Sequence, residues 1–324
     1  MKLFGTRVAA KCSLDTANYS GKRLAFIHTG AALLFSLVIT VANVLLDQYI
    51  ENTSGLAGLG TRSLLQAIQS FLSFASVVLL PFWQMGFVFA CIRYARHEQV
   101  APTMLWEGFR RFGKLLRLSI LQTLIYIGVI LATTYIASML FSLTPFVGKL
   151  YAVMQPIMEQ GSITPEMLAD PALTAQILEA ALPLYILTGV LLLVVMTFLF
   201  YRMRMATFAI MDDVPGARAA IAVSFRMMRK NGFSLFRADL RFWWFYVLKA
   251  LIAVVASGDV MLAAMGITVP VSAEILFVGF YVLYALLELW LSTQCSAYIQ
   301  TTYAHCYQML KDTMPQPNKM IEQQ

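Results

Sequence analysis

The chain has 324 residues, of which 59% are hydrophobic and only 13% are charged. Soluble domains carry about 25% charged residues, so composition excludes a water-soluble fold that buries all of this apolar surface. The net charge of +7 raises the question of nucleic-acid binding, but the basic residues stand in short loops between apolar segments rather than on one polar face, which argues against it.

Six apolar segments follow one another along the chain, each close to the ~20 residues that cross the hydrocarbon core of a bilayer. They cover roughly residues 25–47, 68–92, 118–142, 183–205, 242–263 and 275–298. The first is too long for the hydrophobic part of a signal peptide, so we expect it to be retained as a span. The sequence therefore predicts an all-α polytopic membrane helix bundle, with one membrane domain over residues 1–310 and a short cytoplasmic tail at 311–324.

The distribution of basic residues predicts the orientation of these spans. Twenty-one of the 24 Lys and Arg residues fall in the N-terminal segment, the loops at 93–117 and 202–241, and the C-terminal tail. Because positively charged loops stay on the cytoplasmic side, both termini are expected there, and the six spans pair into three hairpins. The four cysteines also lie on that reducing side, where no disulfide is expected.

A basic amphipathic segment precedes both the third and the fifth predicted spans. In the first copy Leu105, Phe109 and Phe112 recur at helical spacing, and in the second Asn231-Gly232 is expected to break the helix. The two copies align, which predicts a repeated unit of interfacial helix and membrane span. Their cations are candidate contacts to anionic lipid headgroups: Arg110, Arg111, Lys114, Arg117, Arg226, Arg229, Lys230, Arg237 and Arg241.

Two further regions allow a structural and a functional interpretation. The outer segment at 143–182, where Thr164-Pro165 and Asp170-Pro171 each predict the start of a helix, favours a structural cap over a partner-binding lid. The second span carries a polar stripe that favours hydrogen bonds between helices, with a pore lining as the alternative. The stripe consists of Gln66, Gln69, Ser70, Ser73 and Ser76, with Gln84 on the other side of Pro81.

Lys249 in the fifth span and Glu288 in the sixth are charges left inside the membrane. Counted along antiparallel helices from their cytoplasmic ends, both lie in the inner half of the bilayer, where an unpaired charge costs about 2.5–3.5 kcal/mol. A structural ion pair, or separate snorkelling of the two side chains to the interface, is the favoured interpretation. A proton or ion relay, or contact with a polar substrate, is the alternative.

Catalytic motifs are not found in the sequence. The three histidines stand far apart, and no phosphate-binding loop, nucleophile elbow, HExxH or CxxC sequence is present. We therefore expect no catalytic residue, cofactor or metal site, and an intramembrane enzyme is the least favoured class.

The stretch from residue 215 to 248 resembles an uncharacterised family of bacterial integral membrane proteins, domain of unknown function nine hundred and seventy-five. The residues that carry this similarity are Ser224, Met228, Arg229, Leu235, Phe236, Leu240, Phe242 and Trp244. A basic Phe-x-x-Phe segment from Phe109 to Phe112 and an aromatic-rich segment from Tyr298 to Tyr307 extend it over most of the chain after about residue 85. Two extra residues before Gly232 and a longer outer loop depart from the family pattern. The resemblance implies a multi-span fold in the bacterial inner membrane and brings no established activity.

These observations favour a non-enzymatic accessory or envelope-organising role. A transporter or channel for a small solute or lipid, using Lys249 and Glu288, is the alternative. The expected partners are the bilayer with its anionic headgroups and, as a further possibility, a membrane protein or a second copy of the chain, but no nucleic acid.

Overall fold

The computed structural model describes residues 5–52, 59–159, 171–258, 261–262 and 273–314. These residues form helices joined by short turns and contain no strand, which confirms the predicted all-α class. In chain order the helices are α1 (Thr6–Asp15), α2 (Gly21–Asn52), α3 (Leu59–Ala95), a 3-10 turn (Pro102–Trp106), α4 (Glu107–Arg110), α5 (Phe112–Ser142), α6 (Phe146–Glu159), α7 (Pro171–Met203), α8 (Ala206–Met211), α9 (Ala217–Met228), α10 (Gly232–Leu240), α11 (Trp243–Ala256) and α12 (Ala273–Asp312).

Five helical segments in the described part are long and apolar enough to cross a membrane. By length and composition these candidate spans are Gly21–Ile50, Gly60–Ala95, Phe112–Ser142, Ala175–Met211 and Leu276–Asp312. They correspond to the first four predicted spans and the sixth. Large apolar side chains such as Leu34, Phe71 and Leu193 are exposed on them, as expected of surfaces that face lipid.

The fifth predicted span differs from the structure. Helix α11 has 14 residues, and at 1.5 Å per residue it is only about 21 Å long, short of the ~30 Å hydrocarbon core. The rest of the predicted segment runs into residues outside the described part. The arrangement of six spans in three hairpins therefore stays a prediction.

Helix ends also differ from the sequence-based boundaries. Helix α12 continues to Asp312, about fourteen residues past the predicted end near residue 298. Its last turns are buried around Tyr303, Cys306 and Tyr307, so packing sustains the helix where hydropathy falls. Helix α7 runs from Pro171 through Pro183 into the span. The predicted helix start at Asp170-Pro171 stays a prediction, because Asp170 lies outside the described residues. The other predicted start, at Thr164-Pro165, lies outside the described residues.

The two basic segments are built differently. In the second, α9 ends at Met228 and α10 begins at Gly232, so the predicted break at Asn231 is confirmed. In the first, the predicted continuous stripe is divided between the 3-10 turn, α4 and α5. The reason is close packing on α3: a Cβ added to Gly108 would lie 1.8 Å from the carbonyl oxygen of Phe82. Only glycine permits that approach, and it fixes the turn against α3.

Contacts between residues divide the chain into two compact units. One comprises Met1–Arg117 with Met205–Gln324, and the other Leu118–Arg204. In the first, α12 packs against α1, α2, α3 and α11, while α4 and the 3-10 turn pack on α3. In the second, α6 packs on α7. The candidate site lies entirely within the first unit.

Candidate functional site

Lys249 and Glu288, predicted as charges within the membrane, lie together. The Lys249 Nζ on α11 is 2.7 Å from Glu288 Oε1 on α12. Ser292, one turn along α12, donates a hydrogen bond of 2.8 Å to the same carboxylate. Glu288 is the more enclosed partner, with 13% of its side chain exposed against 41% for Lys249. The pair therefore compensates both charges but leaves one side of the lysine open.

That open side faces a cavity of about 360 Å³ between α2, α3, α11 and α12. Most of the residues that line it carry polar groups, in helices that are otherwise apolar. The polar lining residues are His28, Thr29, Ser36, Gln84, Tyr246, Lys249, Tyr284, Glu288, Ser292, Ser296 and Gln300. The volume lies within the range of small-molecule sites.

Helical spacing on α12 explains why so many polar groups meet there. Tyr284, Glu288, Ser292, Ser296 and Gln300 recur every four residues and all line the cavity. Side chains four apart share one face of a helix, so this helix presents a polar stripe to its neighbours. The sequence analysis singled out only Glu288 from this stripe. The i, i+4 repeat of polar residues in an apolar helix was the signal that could have identified the others.

His28 is buried in the cavity wall against an aromatic ring. It is 7% exposed, and its ring stacks on Phe87 with the centroids 4.5 Å apart. Its Nε2 atom has no hydrogen-bond partner within the described ranges. A buried polar group left unpaired costs about 1–3 kcal/mol. Because this nitrogen is also shielded from water, a ligand or water in the cavity would pair with it only if the His28 ring turned toward the cavity.

A family model described as "Protein of unknown function (DUF975)" matches residues 20–314. The chain belongs to this family. The match confirms the resemblance inferred from sequence and extends it to the first two spans, which the sequence comparison had left out. No curated protein and no solved structure is significantly similar to the chain. Membership thus carries the expectation of several membrane helices and assigns no activity to the cavity.

The polar stripe on α3 divides between two roles. Gln69 donates a hydrogen bond of 2.9 Å to Asp47 on α2, and Ser73 accepts one of 3.3 Å from Asn43. Ser70 and Ser76 donate to carbonyl groups of their own helix. Gln84, by contrast, lines the cavity. The interpretation as hydrogen bonds between helices therefore fits part of the stripe, and Gln84 belongs to the site.

A second charged cluster lies where the sequence analysis placed no site. The Asp212 side chain is 6% exposed and accepts hydrogen bonds from Lys311 Nζ at 2.7 Å, from Tyr307 Oη at 2.9 Å and from Arg96. Burial raises the pKa of this carboxyl, but the hydrogen bonds from Lys311, Arg96 and Tyr307 outweigh it and hold the pKa below its ordinary value. The cluster ties the end of α3 to the end of α12 and has the character of a structural clamp.

Two histidines that the sequence placed far apart also meet. Ser13 Oγ lies 2.9 Å from His305 Nε2 and 3.4 Å from His97 Nε2. Sequence separation hid this contact, which the fold makes by docking α1 against α3 and α12. Among the residues that the structure describes, no group of three or more His, Cys, Asp or Glu is placed to hold a metal ion.

The predicted headgroup contacts are mostly exposed, as such a role requires. Arg110, Lys114, Arg117, Arg226, Arg229, Lys230 and Arg237 are exposed, whereas Arg111 and Arg241 are half-buried. Arg111 is engaged by the protein itself: its Nη1 is 2.7 Å from Asp213 Oδ1 and donates a hydrogen bond to the Met211 carbonyl. Arg110, although exposed, pairs with Glu107 at 2.7 Å. Exposure alone is therefore compatible with contact to lipid and does not establish it.

Proposed function

We propose that this chain is a transport-type protein of the bacterial cytoplasmic membrane, which takes a small charged solute or lipid into the cavity around Lys249 and Glu288. One observation carries the proposal: the ion pair forms a wall of a polar cavity of about 360 Å³. Charged side chains within membrane segments characteristically face a water-filled cavity or pair with one another, and this pair does both.

Of the two interpretations that the sequence left open, the cavity favours transport over an accessory role. An accessory or envelope-organising role needs exposed surfaces and has no use for polar groups gathered inside the membrane. Ionisable groups that face an internal cavity within a membrane bundle are typical of substrate and ion pathways. The role proposed here is non-enzymatic binding and passage, and the accessory role becomes the alternative.

The proposal includes a topology. Both termini lie in the cytoplasm, the chain crosses the membrane six times in three hairpins, and the basic segments lie along the inner surface. The bias of Lys and Arg toward four cytoplasmic segments supports this orientation. The breaks between α9, α10 and α11 support short helices that lie in the interface before the chain enters the bilayer.

Access of water to the cavity tests the proposed function. In a background without the four native cysteines, Ser36→Cys places a thiol in the cavity wall of α2, and Val38→Cys places one on the exposed face of the same helix. A small cationic methanethiosulfonate reacts with thiols that reach water. We expect it to modify Ser36→Cys in intact membranes and to leave Val38→Cys unmodified.

Labelling of the denatured protein provides the reference, because both thiols are accessible to the reagent in that state. Equal protection of both positions in the membrane would mean that the cavity is closed to water, and the accessory role would then be the better account. Equal labelling of both would show that the reagent does not distinguish cavity from lipid face, and it would remove the support that this cavity gives.

A further inference from the structure

An apolar groove adjoins the polar cavity within the same unit. It has a volume of about 360 Å³ and lies between α2, α3 and the segment that follows α3. Its wall contains Ala31, Phe35, Leu80, Trp83, Trp106 and Phe109. The aromatic rings are in contact, with the centroids of Trp83 and Trp106 5.5 Å apart and those of Trp106 and Phe109 5.4 Å apart.

The groove and the cavity share a boundary. Ala32 lines both of them. His28, in the cavity wall, stacks on Trp83, in the groove wall, with ring centroids 6.0 Å apart and an angle of 5° between the planes. The Trp83 indole also donates a hydrogen bond of 2.8 Å to the His28 carbonyl oxygen. A ligand that occupied both spaces would therefore need a polar end joined directly to an apolar one.

The ion pair restricts the charge of that polar end. A singly charged ligand that bound to Lys249 or to Glu288 would leave the other residue unpaired inside the membrane, which is unfavourable. A zwitterion replaces the ion pair by two new pairs, because its anionic group binds Lys249 and its cationic group binds Glu288. Both protein charges stay compensated throughout. His28 lines the same cavity, and its Nε2, which has no hydrogen-bond partner among the described residues, would reach an anionic oxygen after a turn of the ring into the cavity.

We propose that the ligand of this site is a membrane lipid with a zwitterionic phosphate–amine headgroup. The phosphate binds Lys249 and His28, the ammonium group binds Glu288, and part of an acyl chain lies in the groove beside Trp83 and Trp106. This inference rests on the proposed function, since it names what enters the cavity. The ligand is taken as a lipid rather than a soluble zwitterion because an apolar groove adjoins the cavity, with Ala32 in the walls of both.

Native mass spectrometry of the delipidated full-length protein tests the ligand class. The probes are phosphatidylethanolamine, phosphatidylglycerol with the same acyl chains, and glycerophosphoethanolamine, which has the headgroup without the chains. We expect phosphatidylethanolamine to bind at least about tenfold more tightly than phosphatidylglycerol, a difference of about 1.4 kcal/mol. Glycerophosphoethanolamine in large excess should not displace it.

Variants separate the two halves of the site. Lys249→Met with Glu288→Gln removes both charges together and should abolish the preference between the two lipids. Ala31→Trp fills the groove and should weaken binding of both lipids, whereas Ala132→Trp, at an exposed alanine of α5 outside the groove and the cavity, should not. Each variant is first required to elute as a single species, so that loss of fold is not read as loss of binding.

Two results would overturn the inference. Equal binding of phosphatidylglycerol would show that the site does not select a zwitterion. Full displacement by glycerophosphoethanolamine would show that the groove plays no part and that the ligand is a soluble zwitterion. Neither result affects thiol labelling at Ser36→Cys, so the cavity's proposed function stands or fails separately.

Discussion

Two carboxylates with similar burial occupy different surroundings in the same unit. Asp212 is 6% exposed and is saturated by two cations and a tyrosine hydroxyl. Glu288 is 13% exposed and has one lysine and one serine as partners, on the wall of a cavity that also contains His28. Both clusters hold helices together, but only the second leaves polar groups unsatisfied.

This difference distinguishes a structural cluster, which holds helices together, from a site that can bind a ligand. The Asp212 carboxylate gains little from a ligand, because both of its oxygens already accept hydrogen bonds from Arg96, Tyr307 and Lys311. The cavity around Glu288 combines an exchangeable ion pair with an orphaned nitrogen, so a ligand could improve on the contacts that the protein makes alone. Three sets of substitutions and one titration test whether this distinction holds.

Removing Asp212 should have the largest effect on stability. Asp212→Ala leaves Arg96 and Lys311 without their carboxylate and removes the hydrogen-bond acceptor of the Tyr307 hydroxyl. Breaking a buried charge cluster costs about 3 kcal/mol when the remaining cations are partly solvated, as these are. Thermal unfolding of the detergent-solubilised protein measures this, with exposed Asp15→Ala as the control. Similar losses in both variants would contradict the clamp.

The Lys249–Glu288 pair should show strong coupling and little net stability. Lys249→Met or Glu288→Gln alone leaves one uncompensated charge and should cost roughly 2 kcal/mol, less than for an enclosed pair because the cavity admits water. The double variant should return to within about 0.5 kcal/mol of the original protein. The free energies of unfolding of the original protein, the two single variants and the double variant form a double-mutant cycle. A double variant as unstable as the sum of the singles would indicate that each residue has its own structural role.

His28→Phe should stabilise the protein, in contrast to the variants above. Phenylalanine keeps the stack on Phe87 and removes a buried nitrogen that has no partner in the described ranges, so we expect a gain of about 1 kcal/mol. Unfolding in detergent measures the gain, and lipid binding to the same variant should weaken. Loss of stability instead would show that the imidazole makes a contact on which the fold depends.

Sequence reasoning reached the class of this protein and the two charges of its site. It did so because both rest on composition: apolar segments of fixed length define the spans, and an isolated Lys249 or Glu288 stands out within them. The same reasoning predicted the break at Asn231, since glycine after asparagine ends helices locally. These are properties of short windows of sequence.

What sequence reasoning missed depends on contacts between distant residues. His28 is one of three histidines in the chain, and only the packing of α2 against α3 places it between Trp83 and Phe87. The Asp212 cluster joins residues more than ninety positions apart along the chain. The end of α12 was placed too early because hydropathy follows lipid exposure, while Tyr303 and Tyr307 are buried by protein.

The smallest expected effect is the pH dependence that Asp212 contributes. Its pKa is lower in the folded protein than in the unfolded chain, because the hydrogen bonds from Lys311, Arg96 and Tyr307 outweigh burial. The stability it provides is therefore complete above the unfolded pKa of about 3.9 and is lost as the pH falls through the folded value. At pH near 3.9 half of the unfolded chains are protonated at this position, which lowers stability by about 0.4 kcal/mol. Subtracting the profile of Asp212→Asn from that of the original protein isolates the contribution, and a difference that stayed constant from pH 7 to 3.5 would contradict the lowered pKa.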